Sequence, residues 1–296
     1  TEFASDSVFG YSSSYLPDYV SEKTSGKIVA DQVERFTLDV LKESTTERLM
    51  SLQDNVCVAV DAQQQQDLDQ FSQELLVAAT QGKKFLFRSA ASLLTSLAAL
   101  PEQPVAASEM SRYARNKRSG VVLVGSHVQK TTQQLEYLLK QPGVIGLEVD
   151  VVRLKEEPAQ ASAMVDIILA HVQTIYTQEK TAVIYTSRQE LTFDDTATRL
   201  AFGVTVSNLL MDIVRGLPND IGFLISKGGI TSNDTLSKGL ALTSARLLGQ
   251  IIPGVSVVTT GSNHLQFPNL PVVLFPGNVG GDDAVAAAYQ RISSYV

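Results

Sequence analysis

Three glycine-containing loops stand out in this sequence because each follows a short apolar run and precedes a polar, helix-like segment. The apolar runs are VVLV (121–124), GFLIS (222–226) and PVVLF (271–275). In chain order, we call the loops after them the first, second and third glycine loops: GSH (125–127), KGG (227–229) and PGNVGG (276–281).

A cluster of such loops predicts a binding site for an anion. When parallel strands end at one edge of a sheet, the loops that follow them line the crevice where ligands bind. Each helix start offers backbone N–H groups without an internal acceptor, together with a partial positive charge. Glycine lets successive N–H groups form a concave nest. Several nests around one crevice suit a polyphosphate better than a single carboxylate.

Each feature of these loops also has a simpler interpretation, which the sequence leaves open. A glycine between a strand and a helix is common and by itself indicates only a turn. Lys227 is equally consistent with a solvated lysine at a strand end. Asp282 and Asp283 are most simply residues of a helix start, and Mg²⁺ binding is the second interpretation.

Other chemistries receive less support from the sequence. Neither G-x-x-x-x-G-K-[ST] nor G-x-G-x-x-G occurs in it. Ser126 and His127 are neighbours, so in an extended segment their side chains point to opposite sides, and no G-x-S-x-G surrounds Ser126. The three histidines share no metal-ligand spacing, so we predict no metal site formed by the protein alone. Cys57 is interpreted as a buried thiol.

Composition and charge exclude several classes of protein. The chain has 296 residues and a formal net charge of −7, which argues against a nucleic-acid-binding surface. No uninterrupted apolar run approaches the ~20 residues of a membrane helix. A single cysteine excludes an internal disulfide. We therefore expect a cytoplasmic protein that binds neither nucleic acid nor a membrane.

Apolar runs alternate with amphipathic segments along most of the chain, which predicts an α/β fold. Unbroken apolar strands are typical of a parallel sheet with helices on both faces. We predict two α/β domains, 1–100 and 120–296, of which the second contains the mainly parallel sheet. Residues 101–119, with two prolines, mixed charge and no apolar face, are predicted to be a linker.

Some local predictions bear directly on the glycine loops and on the first domain. Residues 1–26 lack periodicity and are expected to be extended or loop, 84–88 are expected to form a strand, and 233–248 a helix. The helices after the glycine loops are expected to be capped by Thr131, by Ser232 or Asn233, and by Asp282.

Several segments in one order resemble the four-carbon acid sugar kinase family. They are RSAASLLTSL (88–97), VLVGSHVQKTTQQLE (122–136), VIYTSR (183–188), LISKGGITSNDT (224–235), LGQIIPGVSV (248–257) and FPGNVGGDD (275–283). The likeness covers nearly the whole chain and is strongest from about residue 120 onward. Several long motifs in order are more specific than any single glycine pattern.

The resemblance implies a kinase that uses ATP with Mg²⁺ to phosphorylate the terminal hydroxyl of threonate, erythronate or 3-oxo-tetronate. It implies that 120–296 is the nucleotide-binding domain and that 1–100 is the later part of the sugar-acid-binding domain. The residues that it implies for contact with ATP or ADP are Ser126, Gly228, Gly229, Ile230, Thr231 and Gly277. The alternative is a module that binds a nucleotide or metabolite without chemistry, and a homo-oligomer is left open.

One departure from the family pattern concerns catalysis. The family's ADDLTGA-like motif, whose acidic residues belong to the substrate side, does not occur in this sequence. We therefore expect the chain to be a truncated form, a processed fragment, or a half-protein that needs a partner chain. The catalytic carboxylate is expected in the segment that this form lacks, so the catalytic residue is unknown.

Overall fold

The computed structural model describes residues 4, 10–101, 103–126, 128–188 and 191–293. Its chain forms two compact units, 1–102 and 103–296. Apolar side chains cluster into a core of their own within each unit.

The first unit is built around two short strands that pair in parallel. Its strands are β1 (Glu34–Phe36) and β2 (Val58–Val60). Its helices are α1 (Leu16–Lys23), α2 (Leu38–Leu41), α3 (Thr46–Ser51), α4 (Gln65–Thr80) and α5 (Ala91–Leu97). The rings of Phe36 and Phe71, whose centres are 5.8 Å apart, lie in the core of this unit beside Leu49 and Leu75.

Two local predictions for the first unit are wrong. Helix α1 occupies part of the segment expected to be extended or loop, and Pro17 in its first turn is a helix-start signal that periodicity does not reveal. Residues 84–88 form no strand, and within the described chain no strand pairs with them. Leu86 is fully exposed there, while the rings of Phe85 and Phe87 stack 6.0 Å apart.

The second unit alternates strands and helices around one large sheet. Its strands are β3 (Val121–Val124), β4 (Val144–Val149), β5 (Thr181–Thr186), β6 (Leu224–Lys227), β7 (Arg246–Ile252), β8 (Val255–Thr259) and β9 (Pro271–Phe275). Its helices are α6 (Gln129–Leu138), α7 (Val151–Glu156), α8 (Ala161–Thr177), α9 (Thr196–Gly216), α10 (Gly229–Asp234) and α11 (Ala284–Ser293).

The seven strands lie in the order β4-β5-β3-β6-β9-β8-β7. The first five run parallel, and β8 and β7 add an antiparallel edge. Successive residues of β3 point to opposite faces, so Val121 and Leu123 belong to one core and Val122 and Val124 to the other. Helices α8 and α9 contribute to the first core, and α6 and α11 to the second. The prediction of an α/β fold with a mainly parallel, doubly covered sheet is confirmed.

The segment predicted to be a linker packs onto the second unit from Gln103 onward. Met110, in a 3₁₀ turn, is fully buried in the core beneath α11 and β7. The side chain of Gln103 donates a hydrogen bond to Gln250 O and accepts one from Gln250 N. Arg115 donates to the carbonyl oxygens of Asn219, Ile221 and Pro268. From Gln103 onward this segment is thus part of the second unit, although it has no apolar face in the sequence.

The predicted helix over 233–248 is wrong in its second half. Helix α10 continues as a π-helical turn over Thr235–Gly239, and the chain then leaves the helix at Ala241, whose φ is +51°. From Arg246 it pairs with β8 as an antiparallel strand. Tertiary pairing therefore overrides the helical spacing of the leucines in this stretch.

Among the described helices, α9 alone is long and apolar enough, by length and composition, to cross a membrane. Core helices pass the same test, and the second half of α9 is a core element. Its buried side chains are Leu209, Leu210, Met211, Ile213 and Val214. The first half leaves Leu200 and Val204 exposed.

The burial of Met110 gives a stability prediction for the segment that precedes the sheet. Met110→Ala should lower the free energy of unfolding by about 2–5 kcal/mol, since it leaves a cavity in a closed core. Ser108→Ala, at an exposed position of the same turn, should change it by less than about 0.5 kcal/mol. Denaturant unfolding measures both, and equal effects would show that the segment is not packed as described.

Candidate functional site

The three glycine loops lie at one edge of the sheet because their strands are neighbours in register. In the sheet, Lys227 of β6 pairs with Val124 of β3 on one side and with Phe275 of β9 on the other. Each of the three is the last residue of its strand. The loops therefore start at the same level, at the carboxyl ends of parallel strands. This is the edge where open α/β sheets bind ligands.

Lys227 is buried, with only 1% of its surface exposed. Its Nζ donates hydrogen bonds to Pro276 O at 2.6 Å and to Gly277 O at 3.0 Å. The same ammonium lies 4.4 Å from the ring centre of Phe275. Lys227 is therefore not a solvated lysine, because it fastens the third glycine loop to the end of β6.

Two glycines allow the first and second loops to approach closely. Gly228 has φ +119°, and a Cβ there would lie 3.1 Å from Thr231 Oγ1 and 3.2 Å from Ser126 Cβ. A Cβ on Gly125 would lie 2.3 Å from Thr231 Oγ1. The backbone N–H of Gly228 donates to Phe275 O at 2.8 Å. The second loop is thus fixed between its two neighbours, and a side chain at either glycine would push the loops apart.

The start of α10 combines open space with a buried anchor. A Cβ on Gly229 would meet nothing within 4 Å, and Ile230 is 79% exposed. Thr231 is buried and points toward Gly125. The N–H groups of a first helical turn have no acceptor within the helix. A ligand can therefore reach the backbone at Gly229, while the buried Thr231 fixes the same helical turn in place.

Helix α6 holds the first and third loops together. Thr131 Oγ1 lies 3.3 Å from both Ser126 Oγ and Gly277 O. The fully buried Gln134 donates through Nε2 to Val279 O at 2.9 Å and to Gly281 O at 2.8 Å. Of the residues that the resemblance implies, Ser126, Gly228, Thr231 and Gly277 thus lie close together, and Gly229 and Ile230 lie beside them.

The caps predicted for α6 and α10 are wrong, because α6 begins at Gln129, before Thr131, and α10 begins at Gly229, before Ser232 and Asn233. Helix α11 begins at Ala284, two residues after its predicted cap, Asp282. Thr131 is instead buried against the glycine loops, and Ser232 donates to Ser226 O at 2.9 Å. Asp282 pairs with Lys130 at 3.0 Å. Polar residues that look like caps therefore connect loops to neighbouring elements.

Arg188, just after β5, is a site residue that sequence reasoning missed. Its guanidinium donates to Ser126 O and to Thr132 Oγ1, so it contacts the first glycine loop and α6. Burial lowers the pKa of the Arg188 guanidinium, and Glu148 acts in the opposite direction. The residue stood at the end of the segment VIYTSR, but no local pattern links it to a loop that precedes it by 62 positions.

The carboxylates near the loops offer little to a metal ion on their own. In the described part of the chain, no group of three His, Cys, Asp or Glu side chains is arranged to hold a metal. Asp282 and Asp283 border the third loop, and Asp282 is paired with Lys130. One or two carboxylates suffice for Mg²⁺ when substrate phosphates provide other ligands. His127, considered with Ser126 as a catalytic pair, lies outside the described residues.

The geometry fits a phosphate-bearing ligand. The backbone at Gly229 is open to solvent, the neighbouring glycines allow close approach, and the cations of Lys227 and Arg188 lie within or behind the loops. Glycine-rich backbone at a helix start is a recurrent seat for phosphate groups.

Two family profiles match this chain. Residues 1–97 match the Sugar-binding N-terminal domain, and residues 121–285 match the Nucleotide-binding C-terminal domain. A search among curated proteins finds no match.

Solved structures are similar to the chain over almost its whole length. A protein of Salmonella typhimurium LT2, described as a candidate tRNA synthase, is 20% identical with a TM-score of 0.60; the match covers 98% of this chain and 65% of that one. A domain of unknown function (DUF1537) from Bordetella bronchiseptica, a domain-swapped dimer with bound citrate, is 18% identical with a TM-score of 0.49, covering 99% and 64%. The chain thus spans about two thirds of the length of these proteins.

At such identities the structural likeness concerns the fold alone, whereas the two profiles cover most of the sequence in the order sugar-binding, then nucleotide-binding. The chain belongs to the four-carbon acid sugar kinase family.

Proposed function

We propose that this protein is an ATP-dependent kinase that phosphorylates the terminal hydroxyl of a four-carbon sugar acid, such as threonate, erythronate or 3-oxo-tetronate. The observation that carries the proposal is the meeting of three glycine loops at the carboxyl edge of β3, β6 and β9. Membership of a family with a sugar-binding and a nucleotide-binding domain supports it. A cytoplasmic location fits these small-molecule partners.

The nucleotide would be held mainly by backbone groups. We assign its contacts to Ser126 of the first loop, to Gly277 of the third, and to the residues at the start of α10, which are Gly228, Gly229, Ile230 and Thr231. Lys227 holds the second and third loops together through the carbonyls of residues 276 and 277. Its buried charge also favours a nearby anion.

Phosphoryl transfer needs positioning and charge stabilisation more than covalent help from the protein. ATP with Mg²⁺, when bound, supplies the phosphoryl group and a cation that neutralises the developing charge. The glycine loops would keep the phosphates in a fixed geometry with preorganised N–H donors. A carboxylate would take the hydroxyl proton of the acid, and its identity is unknown for this chain.

The proposal is tested by product formation. The chain is incubated with ATP and Mg²⁺ and each of the three acids, and ADP and phosphorylated acid are measured by mass spectrometry. We expect saturable ATP binding by this chain, and ADP formed in step with one phosphorylated acid when the segment that carries the family's ADDLTGA-like motif is joined to it. The control is 2,3-dihydroxybutanoate, which lacks the terminal hydroxyl and should yield no product. Saturable ATP binding without product from any acid, with that segment joined, would favour a binding module without chemistry.

The open space at Gly229 gives a sharper prediction for the second glycine loop. Gly229→Asp should leave the fold intact, since a side chain there meets no neighbour, and should weaken ATP binding. The carboxylate repels the phosphates, and we expect a loss of about tenfold or more in affinity by calorimetry.

The matched control is Gly229→Asn, which has the same shape without the charge. It should bind ATP more tightly than the Asp variant at equal thermal stability. If both variants bind ATP equally well, the second loop does not contact phosphate and the assignment is wrong.

A further inference from the structure

Arg188 makes contacts that the proposed function does not use. It lies two residues beyond β5, which is the neighbour of β3 in the sheet. Its Nη2 donates to Ser126 O at 2.7 Å and to Thr132 Oγ1 at 2.9 Å, and its Nε lies 3.2 Å from the same hydroxyl. One planar group therefore connects the loop after β3 with the first turns of α6.

The hydrogen bonds of Arg188 fix the position of Ser126, which lies at the border of the candidate site. Ser126 is held through its carbonyl by Arg188, while its side chain lies 3.3 Å from Thr131 Oγ1. Thr131 also contacts the third loop at Gly277 O. A shift of Arg188 would thus change the position of Ser126 relative to both the second and the third loop. The rigid fork of a guanidinium suits such a role better than a single ammonium.

The electrostatic surroundings of Arg188 are unlike those of a structural ion pair. Among the described residues no carboxylate is hydrogen-bonded to its guanidinium, and Nη1 is buried without a hydrogen-bond partner. Glu148 acts on it electrostatically, without a hydrogen bond. The described contacts of Arg188 are therefore with the first glycine loop and α6 and not with a carboxylate.

Arg115 offers a comparison within the same domain. It too is half-buried, and it donates to the carbonyls of Asn219, Ile221 and Pro268, next to the amino ends of β6 and β9. Its contacts join chain segments on the side of the sheet away from the glycine loops. Arg115 thus provides a matched arginine whose loss should affect stability but not the loops.

We propose that Arg188 is a positioning residue for the nucleotide, acting through Ser126 and Thr132. The inference rests on the proposed function, since it assumes that a phosphate-bearing nucleotide binds at the glycine loops. Arg188 holds the first loop and α6 in the arrangement that receives the ligand, and it acts without touching the reacting atoms.

The test compares Arg188→Ala with Arg115→Ala by ATP·Mg²⁺ calorimetry and by thermal unfolding. Loss of a hydrogen-bonding cation should weaken ATP binding by about tenfold or more in the Arg188 variant. The Arg115 variant should unfold at a lower temperature yet bind ATP within about twofold of the wild type. Wild-type ATP affinity in Arg188→Ala would overturn the inference.

Two further measurements separate positioning from general stability. Methylguanidinium added to Arg188→Ala should restore part of its ATP affinity, and methylammonium at the same concentration should not. Arg188→Lys keeps the charge and loses the fork, so it should recover only part of the affinity. A lysine variant that equals the wild type, or rescue by both cations alike, would show that the guanidinium geometry is not needed.

The failure of this inference can be told from the failure of the proposed function. If the wild-type chain binds no ATP, the nucleotide site itself is refuted. If the wild type binds ATP and Arg188→Ala binds it equally well, only the role of Arg188 is refuted.

Discussion

The buried ammonium of Lys227 is the interaction on which the arrangement of the glycine loops depends. Burying a cation is unfavourable unless it is hydrogen-bonded, and here two backbone carbonyls of the third loop accept from it. The face of the Phe275 ring adds a cation–π contact. The N–H of Gly228 also donates to Phe275 O, at the end of β9. The second glycine loop therefore lies between the first and the third.

The rest of the site follows from that fixed point. Because Gly125 and Gly228 have no side chains, the first loop packs directly on the second. Helix α6 then holds the outer side through Thr131 and Gln134, whose contacts reach residues 277, 279 and 281. The three glycine loops are therefore hydrogen-bonded to one another and to α6, and the backbone at Gly229 stays open. Such preorganisation reduces the ordering that a ligand must impose when it binds.

The local charge of the site differs from the charge of the whole protein. The chain carries a formal net charge of −7. At the loops, however, Lys227 and Arg188 bring positive charge, and Lys130 pairs with Asp282. Positive charge near a site attracts an anion even in a protein whose net charge is negative. Net charge alone therefore says little about the ligand of such a protein.

Much of the second domain could be predicted from the sequence, because buried parallel strands leave unbroken apolar runs and each glycine loop follows one of them. The contacts that organise the site could not. Arg188 contacts Ser126, which lies 62 positions earlier in the sequence. Lys227 cannot be distinguished in the sequence from a solvated strand-end lysine, because its carbonyl partners follow β9, which pairs with β6 only in the folded sheet. The stretch after Gly239 has helical spacing, yet it forms β7 because β8 provides backbone partners. Long-range pairing leaves no local signal in these places.

The central claim, that the three loops form one nucleotide site, is tested most directly by the backbone amide chemical shifts of the isotopically labelled chain during titration with ATP·Mg²⁺. We predict that the largest shifts fall on residues 228–231 and on the first and third glycine loops. The amides around Arg115 and 219–222 should remain unchanged, since they lie next to the amino ends of the strands. Shifts concentrated away from the loops, or none at saturating nucleotide, would contradict the account.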